Sequence, residues 1–277
     1  MQWFQARQQV SPKHKYAINA ELLGDPSECA WTNLGYWFSE SCTYPQACQS
    51  LAEHLANSIH LNSKDRVLDL GCGQGAALSL WKNQYNVQYI DAVDMQLDCV
   101  NNIIHTMPFI HQAQCGSFLN LKEMYFEFKF DAVLCIDAAY HSHLNSFLSS
   151  VKSVLNSKAR IGFHYLVLSD GYKNLNSFEK LKLAALLKSA DIKLNTLNSY
   201  SDTQKLIERC GFEQIEMQNL SAAVLNGFAA YIRKSKTIES AAWSIDRFKI
   251  QMTAKLCQKL YEGGLVDYVQ ISAVNAE

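Results

Sequence analysis

The sequence predicts an α/β fold in which helices cover a doubly wound, mostly parallel sheet. Apolar strand-like segments alternate with helical segments from residue 45 to residue 272, and a glycine-rich turn directly follows the first strand. The 277 residues suffice for one large domain with insertions. Hydrophobic residues make up 48% and charged residues 18% of the chain, which excludes wholesale disorder.

The first half of the chain shows this alternation most regularly. Its predicted elements are a helix that begins near Pro45, a strand at 66–70, a helix from Ala76, a strand at 87–93, a helix at 97–106 and a strand at 130–136. The predicted strands are short apolar runs, and the first helix repeats Leu51, Leu55 and Ile59 on one face. This order favours parallel strands joined by helices that cross over the sheet.

The second half continues the pattern with longer helices. The predicted elements are a helix whose apolar face is Leu144, Phe147, Leu148, Val151, Val154 and Leu155, a strand at 160–168, a helix that begins at a Ser201–Gln204 capping box and ends at Gly211, and a strand at 212–217. A long helix at about 239–262, with Ile245, Phe248, Met252, Leu256 and Leu260 on one face, then precedes a strand at 265–272.

Two segments fit the alternation poorly, about 171–200 and 221–262. We expect them to be helical insertions that form a lid over the carboxyl ends of the strands. The alternative is that they only cover the sheet or form a dimer contact.

The turn after the first strand is the most informative part of the sequence. Val67–Gly75 reads VLDLGCGQG, and Asp94 follows Gly75 by 19 residues at the end of the next predicted strand. Glycines let a ligand approach bare backbone, a helix N-terminus favours negative charge, and a carboxylate at this distance accepts hydrogen bonds from a ribose. The pattern predicts a site for a ribose-containing cofactor, a dinucleotide or an adenosyl amino acid. A purely structural turn is the alternative.

The same string resembles the first motif of the class I S-adenosylmethionine-dependent methyltransferases. Further segments resemble later motifs of that family: Ala92–Met95, Phe130–Cys135, Asp137–His141 and Gly264–Val269. The resemblance covers about residues 45–275 and implies a seven-stranded sheet with one antiparallel edge strand. It also implies S-adenosylmethionine as the cofactor and a small organic molecule as the methyl acceptor.

The resemblance implies a cofactor site made of Asp69, Gly71, Cys72, Gly73, Gly75, Asp94, Met95, Ser117 and Asp137. Asp69 and the glycines would surround the methionine moiety, Asp94 would bind the ribose hydroxyls, and Met95 would pack on the adenine. The acidic residue that the family commonly has after the third strand is absent from Gln114–Ser117. Ser117 or backbone replaces it, or the alignment slips by one residue.

Two segments are candidates for the acceptor site. Residues 1–44 are expected to cover the active site because Trp31–Trp37 resembles the segment that does so in small-molecule methyltransferases. Tyr36, Trp37 and Tyr44 would then form an aromatic cage for the acceptor and the sulfonium, or they only cap the core.

The segment after the fourth strand holds the candidate catalytic residues, His141 and Tyr140, which would also bind the acceptor. His141 is the candidate base, since histidine exchanges protons near neutral pH, and a structural role in the loop is the alternative.

Composition limits the remaining options. Lys and Arg number 25 against 26 Asp and Glu, which gives no reason to expect a nucleic-acid partner. The nine cysteines include no CxxC pair, so we expect reduced thiols and no metal site. The chain shows no apolar run of membrane-spanning length and no signal-peptide pattern, which predicts a cytoplasmic protein; a homodimer is possible.

A methyltransferase for O, N or C of a small molecule is therefore the leading prediction. A nicotinamide-dependent oxidoreductase and a non-catalytic cofactor-binding or scaffold protein are the alternatives.

Overall fold

A computed structural model describes residues 19–235, 238 and 242–277 of the chain. Seven strands form one sheet: β1 (Arg66–Leu70), β2 (Tyr89–Asp94), β3 (Gln112–Cys115), β4 (Phe130–Cys135), β5 (Leu155–Leu168), β6 (Phe212–Asn219) and β7 (Val266–Asn275). Their order across the sheet is β3-β2-β1-β4-β5-β7-β6. The first five strands in this order pair in parallel, whereas β7 runs antiparallel to both β5 and β6.

This topology confirms the predicted α/β fold class with a seven-stranded, mostly parallel sheet. The predicted antiparallel strand is β7. It lies one position in from the edge, since β6 pairs with its outer side from Phe212 to Asn219.

Eight described helices of more than six residues surround the sheet: α1 (Tyr44–Ser58), α2 (Ala76–Asn83), α3 (Leu97–Thr106), α4 (Leu144–Lys152), α5 (Ser177–Lys188), α6 (Tyr200–Arg209), α7 (Gly227–Lys234) and α8 (Ile245–Gly263). Alternate strand residues face opposite sides of the sheet, as the period of a β-strand requires. Leu68 and Val133 therefore belong to one buried cluster, and Val67 and Leu134 belong to another.

Two predicted boundaries in the second half were wrong. Val154 and Leu155 were assigned to the fourth helix, but α4 ends at Lys152 and β5 begins at Leu155, opposite Phe130 of β4. Pairing with β4 therefore outweighs the helical periodicity of this short apolar run. The N-cap of α6 is Ser199, whose hydroxyl accepts the backbone N–H of Asp202 at 3.2 Å, and not Ser201.

The long helix also differs from its prediction. It begins at Ile245, after an N-cap at Ser244, while residues 239–241 of the predicted span lie outside the described residues. The predicted apolar face was wrong over its first half, because Ile245, Phe248 and Met252 are 64%, 52% and 42% exposed. The buried residues of α8 are Ile250, Ala254, Cys257 and Leu260.

The described segments that were expected to form a lid contain α5, α7 and α8, and their action as a lid stays a prediction. Residues 1–18 of the expected N-terminal cover lie outside the described residues. All nine cysteines are free thiols. Within the described ranges, no group of metal-ligating side chains is found and no helix is long and apolar enough to cross a membrane.

Candidate functional site

The glycine turn joins β1 to α2 with a backbone that only glycine adopts readily. Gly71, Gly73 and Gly75 all have positive φ, at 72°, 54° and 87°. A Cβ added to Gly71 would lie 2.9 Å from the Cβ of Ala138, so the turn also packs closely against the loop after β4. Gly75 faces away from the open side of the turn, because an added Cβ there would meet the side chain of Met107 at 2.7 Å.

Asp94 at the end of β2 connects the glycine turn to the next loop. One carboxylate oxygen accepts the backbone N–H of Gly73 at 2.8 Å, and the other accepts the N–H of Gln96 at 2.8 Å. The side chain is only 7% exposed, yet it borders an open cavity. Each oxygen keeps a second lone pair, so the carboxylate can still accept hydrogen bonds from two hydroxyl groups of a ligand.

The cavity above the turn, which we call the turn cavity, has a volume of about 180 Å³. Its lining residues include Thr32, Gly71, Gly73, Asp94, Met95, Phe118 and His141. Met95 is 60% exposed at its border, where an apolar side chain can cover a flat ring. Glycine backbone, a carboxylate and two apolar side chains therefore surround one open space.

Asp69 lies beneath the turn in a small adjoining cavity that shares Thr32 and Gly71 with the turn cavity. Its carboxylate accepts the indole N–H of Trp81 at 2.6 Å. Burial raises the pKa of Asp69 to about 7, against the opposing effect of the Trp81 hydrogen bond. A carboxylate held this far from water is suited to a cationic group of a ligand.

Two other predicted cofactor residues, Cys72 and Ser117, have different surroundings. Cys72 lines the small cavity beside Asp69, and burial raises the pKa of its thiol well above the usual range. Ser117 caps a 3₁₀ turn, where its hydroxyl accepts the N–H of Leu119 at 3.2 Å. The neighbouring Phe118 lines the turn cavity, and Ser117 does not.

A second and larger cavity, which we call the lid cavity, has a volume of about 530 Å³. It lies between the loop after β4, residues 188–192 at the end of α5, and the helix α8, and its walls are mostly apolar. Among its lining residues are Leu34, Leu166, Ile192, Leu225, Leu256 and Tyr268. Thr32, Asp137 and His141 line both the lid cavity and the turn cavity, so the two cavities meet at these three residues.

Asp137 is the most constrained residue at this junction. It has a positive φ of 55°, which is uncommon for a residue other than glycine. One carboxylate oxygen accepts the hydroxyls of Tyr140 at 2.8 Å and Tyr268 at 3.1 Å. The other oxygen accepts the N–H of Leu34 at 2.8 Å, which ties the N-terminal segment to the loop after β4.

Burial determines the ionisation of this network. It raises the pKa of Asp137 despite the three hydrogen bonds, which act in the opposite direction. Burial also raises the pKa of the Tyr140 and Tyr268 phenols well above the usual range, and the Asp137 charge adds to this. Both tyrosines therefore stay protonated and act as hydrogen-bond donors, which is a different role from that of a base.

Two histidines lie near the junction with distinct roles. His141 borders both cavities, and its ring lies 4.6 Å from that of Tyr140. His164 of β5 is fully buried, and its Nδ1 accepts the N–H of Asp137 at 3.3 Å. Burial lowers the pKa of His164 to about 3, so this ring is neutral and structural.

The three aromatic residues proposed as a cage lie in packed positions that border neither cavity. Tyr44 is fully buried, and its hydroxyl donates to the Asn33 carbonyl at 2.9 Å. Trp37 donates its indole N–H to the Leu34 carbonyl at 2.9 Å and stacks on Tyr231 at 4.4 Å. Tyr36 stacks on His54 at 5.0 Å. Their contacts hold the N-terminal segment in place.

Several cavity residues were missed by the sequence analysis. Thr32 and Asn33 border the glycine turn, but no motif distinguishes them from their neighbours. Gln96 could have been found, because it directly follows the Asp94 motif. Tyr268 could not, since it is 131 residues from its partner Asp137 in the sequence.

Residues 67–158 match a family model described as a methyltransferase domain. Among curated proteins, the chain is 33% identical over 90 residues to the erythromycin 3''-O-methyltransferase of Saccharopolyspora erythraea, covering 31% of this chain and 29% of that protein. It is 28% identical over 110 residues to the 27-O-demethylrifamycin SV methyltransferase of Amycolatopsis mediterranei, covering 39% and 40%. The alignments thus span less than half the length of these relatives.

Solved structures share the fold over nearly the whole chain. The geranyl diphosphate C-methyltransferase of Streptomyces coelicolor A3(2), in complex with S-adenosyl-L-homocysteine, superposes with a TM-score of 0.65 and 12% sequence identity. The match covers 95% of this chain and 99% of that one. This match shows the shared fold. The methyltransferase domain at 67–158 and the two curated methyltransferases confirm the predicted resemblance to the class I S-adenosylmethionine-dependent methyltransferases.

Proposed function

We propose that the protein is an S-adenosylmethionine-dependent methyltransferase that acts on a small, mostly apolar organic molecule. The observation that supports this best is the meeting of the turn cavity and the lid cavity at Thr32, Asp137 and His141. A methyl transfer needs a donor site and an acceptor site that open onto each other at one point. In this chain, the turn cavity fits a nucleoside-type donor, the lid cavity fits an apolar acceptor, and the two meet at these three residues.

The residues of the turn cavity fit the cofactor. A side chain at Gly73 would lie 3.0 Å from the Thr32 hydroxyl, so bare backbone keeps this wall of the cradle open. Asp94 is placed to accept the ribose hydroxyls, Met95 and Phe118 to cover the adenine, and Asp69 to face the ammonium of the methionine moiety. When bound, the cofactor supplies an activated methyl group on a sulfonium.

The junction residues orient and protect the reaction. The Asp137 carboxylate is half-buried, and its negative charge favours a cation such as a sulfonium beside it. Its hydrogen bond to the Leu34 N–H closes the N-terminal segment over the site, which excludes water. Holding donor and acceptor in line contributes several kcal/mol to catalysis, and this fold can do so through fixed walls.

His141 is our candidate for removing the acceptor's proton. It borders both cavities, so one ring can reach an acceptor atom placed next to the methyl group. Tyr140 fits a supporting role, because its hydroxyl already donates to Asp137. The acceptor atom can be O, N or C, since each presents a lone pair or carbanion to the methyl carbon after loss of a proton.

Calorimetric titration with S-adenosylhomocysteine and, separately, with NAD⁺ tests this proposal. We expect one S-adenosylhomocysteine per chain and no binding of NAD⁺. Binding of NAD⁺ alone would indicate an oxidoreductase. For the non-catalytic alternative, the test is methyl transfer from labelled S-adenosylmethionine to a library of hydroxylated apolar compounds: a chain that binds the cofactor and never turns over would support a binding protein.

A further inference from the structure

A fourth cavity lies between α5 and the C-terminal end of α8. This outer cleft has a volume of about 450 Å³ and is lined in part by Leu175, Leu183, Leu186, Leu260, Gly263 and Leu265. It belongs to neither the turn cavity nor the small cavity beside Asp69. Its walls are apolar side chains that the predicted methyl transfer does not use.

The outer cleft and the lid cavity adjoin at one shared residue. Leu260 of α8 lines both of them. The lid cavity is lined by residues 188–192 at the end of α5 and by α8 from Phe248 to Leu260. The outer cleft is lined by α5 from Glu179 to Leu186 and by the last turn of α8, from Lys259 to Gly263. The lid cavity and the outer cleft, which adjoin at Leu260, are together called the groove.

The charged residues around the outer cleft do not make it polar inside. Glu179 accepts the backbone N–H of Asn176 at 2.9 Å in the capping box of α5. The ammonium of Lys182 lies 4.3 Å from the centre of the Phe178 ring, and Lys259 is exposed. Lysines placed like this cover apolar surface with their methylene stems and keep their charge in water.

We infer that the acceptor is an elongated amphiphile whose reactive end sits at the junction and whose apolar tail runs between α5 and α8 past Leu260. The α8 residues that line the two cavities run from Phe248 to Gly263. At 1.5 Å per residue, this path is about 22 Å long. The same path accounts for Phe248 and Met252, which line the lid cavity yet are 52% and 42% exposed. The inference rests on the proposed function for its acceptor, but the groove itself can be tested by binding alone.

The test is a chain-length series of primary alcohols, from 1-hexanol to 1-dodecanol, titrated calorimetrically into protein saturated with S-adenosylhomocysteine. Each added methylene that enters the groove should tighten binding about fourfold. We expect this gain to continue to the longest alcohol. A series that stays flat beyond 1-hexanol, as it would if another part of this chain or a protein partner filled the groove, overturns the inference.

Substitutions along the groove show where the apolar tail of a bound alcohol lies. Leu260→Trp should end the gain at a shorter alcohol, because the larger ring blocks the passage between the two cavities. Leu186→Arg, which adds a charge to the outer cleft at a half-buried position, should abolish the gain for the longest alcohols only. The matched control is Leu181→Trp, since Leu181 is on α5, is 67% exposed and lines neither cavity; it should keep the wild-type series.

The two proposals fail in different ways. Absence of S-adenosylhomocysteine binding contradicts the proposed function. The alcohol titration is then carried out on the free protein, where a flat series still contradicts the tail groove. Tight S-adenosylhomocysteine binding with a flat alcohol series contradicts the tail groove alone. Unchanged series in both Leu260→Trp and Leu186→Arg would also contradict it.

Discussion

Asp94 has two functions at the residue scale, because its carboxylate fixes two loops and faces the turn cavity. We predict that Asp94→Ala weakens S-adenosylhomocysteine binding by about one to two orders of magnitude, the loss expected for charge-assisted hydrogen bonds. Calorimetric titration measures this. Asp98→Ala on the exposed first turn of α3 is the control and should bind normally. Equal affinity in the two variants would remove Asp94 from the cofactor site.

Asp69 should make stability depend on pH. Its pKa of about 7 in the folded chain exceeds the value of about 3.9 in an unfolded one, so the folded state holds the proton more tightly. Stability from this group is therefore full below about pH 4 and is lost as the pH rises to about 7. Between pH 5 and pH 8 the loss amounts to about 3 kcal/mol.

Asp69→Asn tests this directly. The amide oxygen of Asn can still accept the Trp81 N–H, while the ionisation is gone. Urea unfolding at pH 5 and pH 8 should show a smaller decline in the free energy of unfolding for the variant than for the wild type. An identical decline in both would mean that Asp69 is not the group that titrates.

His141 is predicted to act on turnover and not on cofactor binding. With an acceptor that must lose a proton, His141→Ala should lower kcat about a hundredfold or more, the usual contribution of a general base. S-adenosylhomocysteine affinity should change less than about twofold. His143→Ala, at the exposed N-cap of α4, is the control. Full activity of His141→Ala at neutral pH would refute the role as base.

At the scale of elements, the N-terminal segment forms a wall of both cavities, and Trp37 anchors it. The Trp37 backbone N–H donates to the Ala223 carbonyl at 3.0 Å, and its side chain covers Gly227 at the start of α7. A Cβ at Gly227 would lie 2.5 Å from the Trp37 Cβ. The absence of a side chain at Gly227 therefore allows the N-terminal segment to pack against the start of α7 through Trp37.

Gly227→Ala should destabilise the protein by about 1–3 kcal/mol, the cost of overpacking. Alanine would favour the helix by less than about 1 kcal/mol, so the clash dominates. S-adenosylhomocysteine affinity should fall as well, because Thr32 and Asn33 belong to the same segment. Thermal unfolding checks the first effect. Gly263→Ala, where no atom lies within 4 Å of an added Cβ, should show neither effect, and a loss of stability there would undermine the comparison.

The sequence predicted the elements with strong local signals. The bounds of β1 and α3 agree with their predictions, since an apolar run next to a glycine turn and a clear helical periodicity are both local. The start of β5 was missed because pairing with Phe130 decides it. Periodicity placed the apolar face of α8 correctly only at Leu260, because Ile245, Phe248 and Met252 are exposed and the buried residues are Ile250, Ala254, Cys257 and Leu260.

The same distinction applies to the candidate site. Motif spacing pointed to Asp69, the glycines and Asp94, which lie together in the structure. Tyr268 reaches Asp137 only because β7 inserts beside β5, and a pairing over that separation leaves no local signal. The cage predicted from Tyr36, Trp37 and Tyr44 rested on the resemblance of Trp31–Trp37 to a covering segment and on residue type. In the structure these rings pack on His54 and Tyr231 or lie in the core.

At the scale of the whole molecule, the fold places three cavities next to one another, since the lid cavity shares lining residues with each of the other two. The glycine turn of the first half of the sheet borders the turn cavity, the loop after β4 forms the junction, and α5 and α8 enclose the lid cavity and the outer cleft. In open α/β sheets, ligands bind at the carboxyl ends of the strands, which is where the glycine turn and the loop after β4 lie.

A crystal structure of the protein with S-adenosylhomocysteine tests the central claim most directly. We predict the ribose on Asp94, the adenine between Met95 and Phe118, and the sulfur facing Thr32, Asp137 and His141, with the lid cavity open beside it. A ligand bound elsewhere, or a sulfur turned away from the lid cavity, would contradict the account.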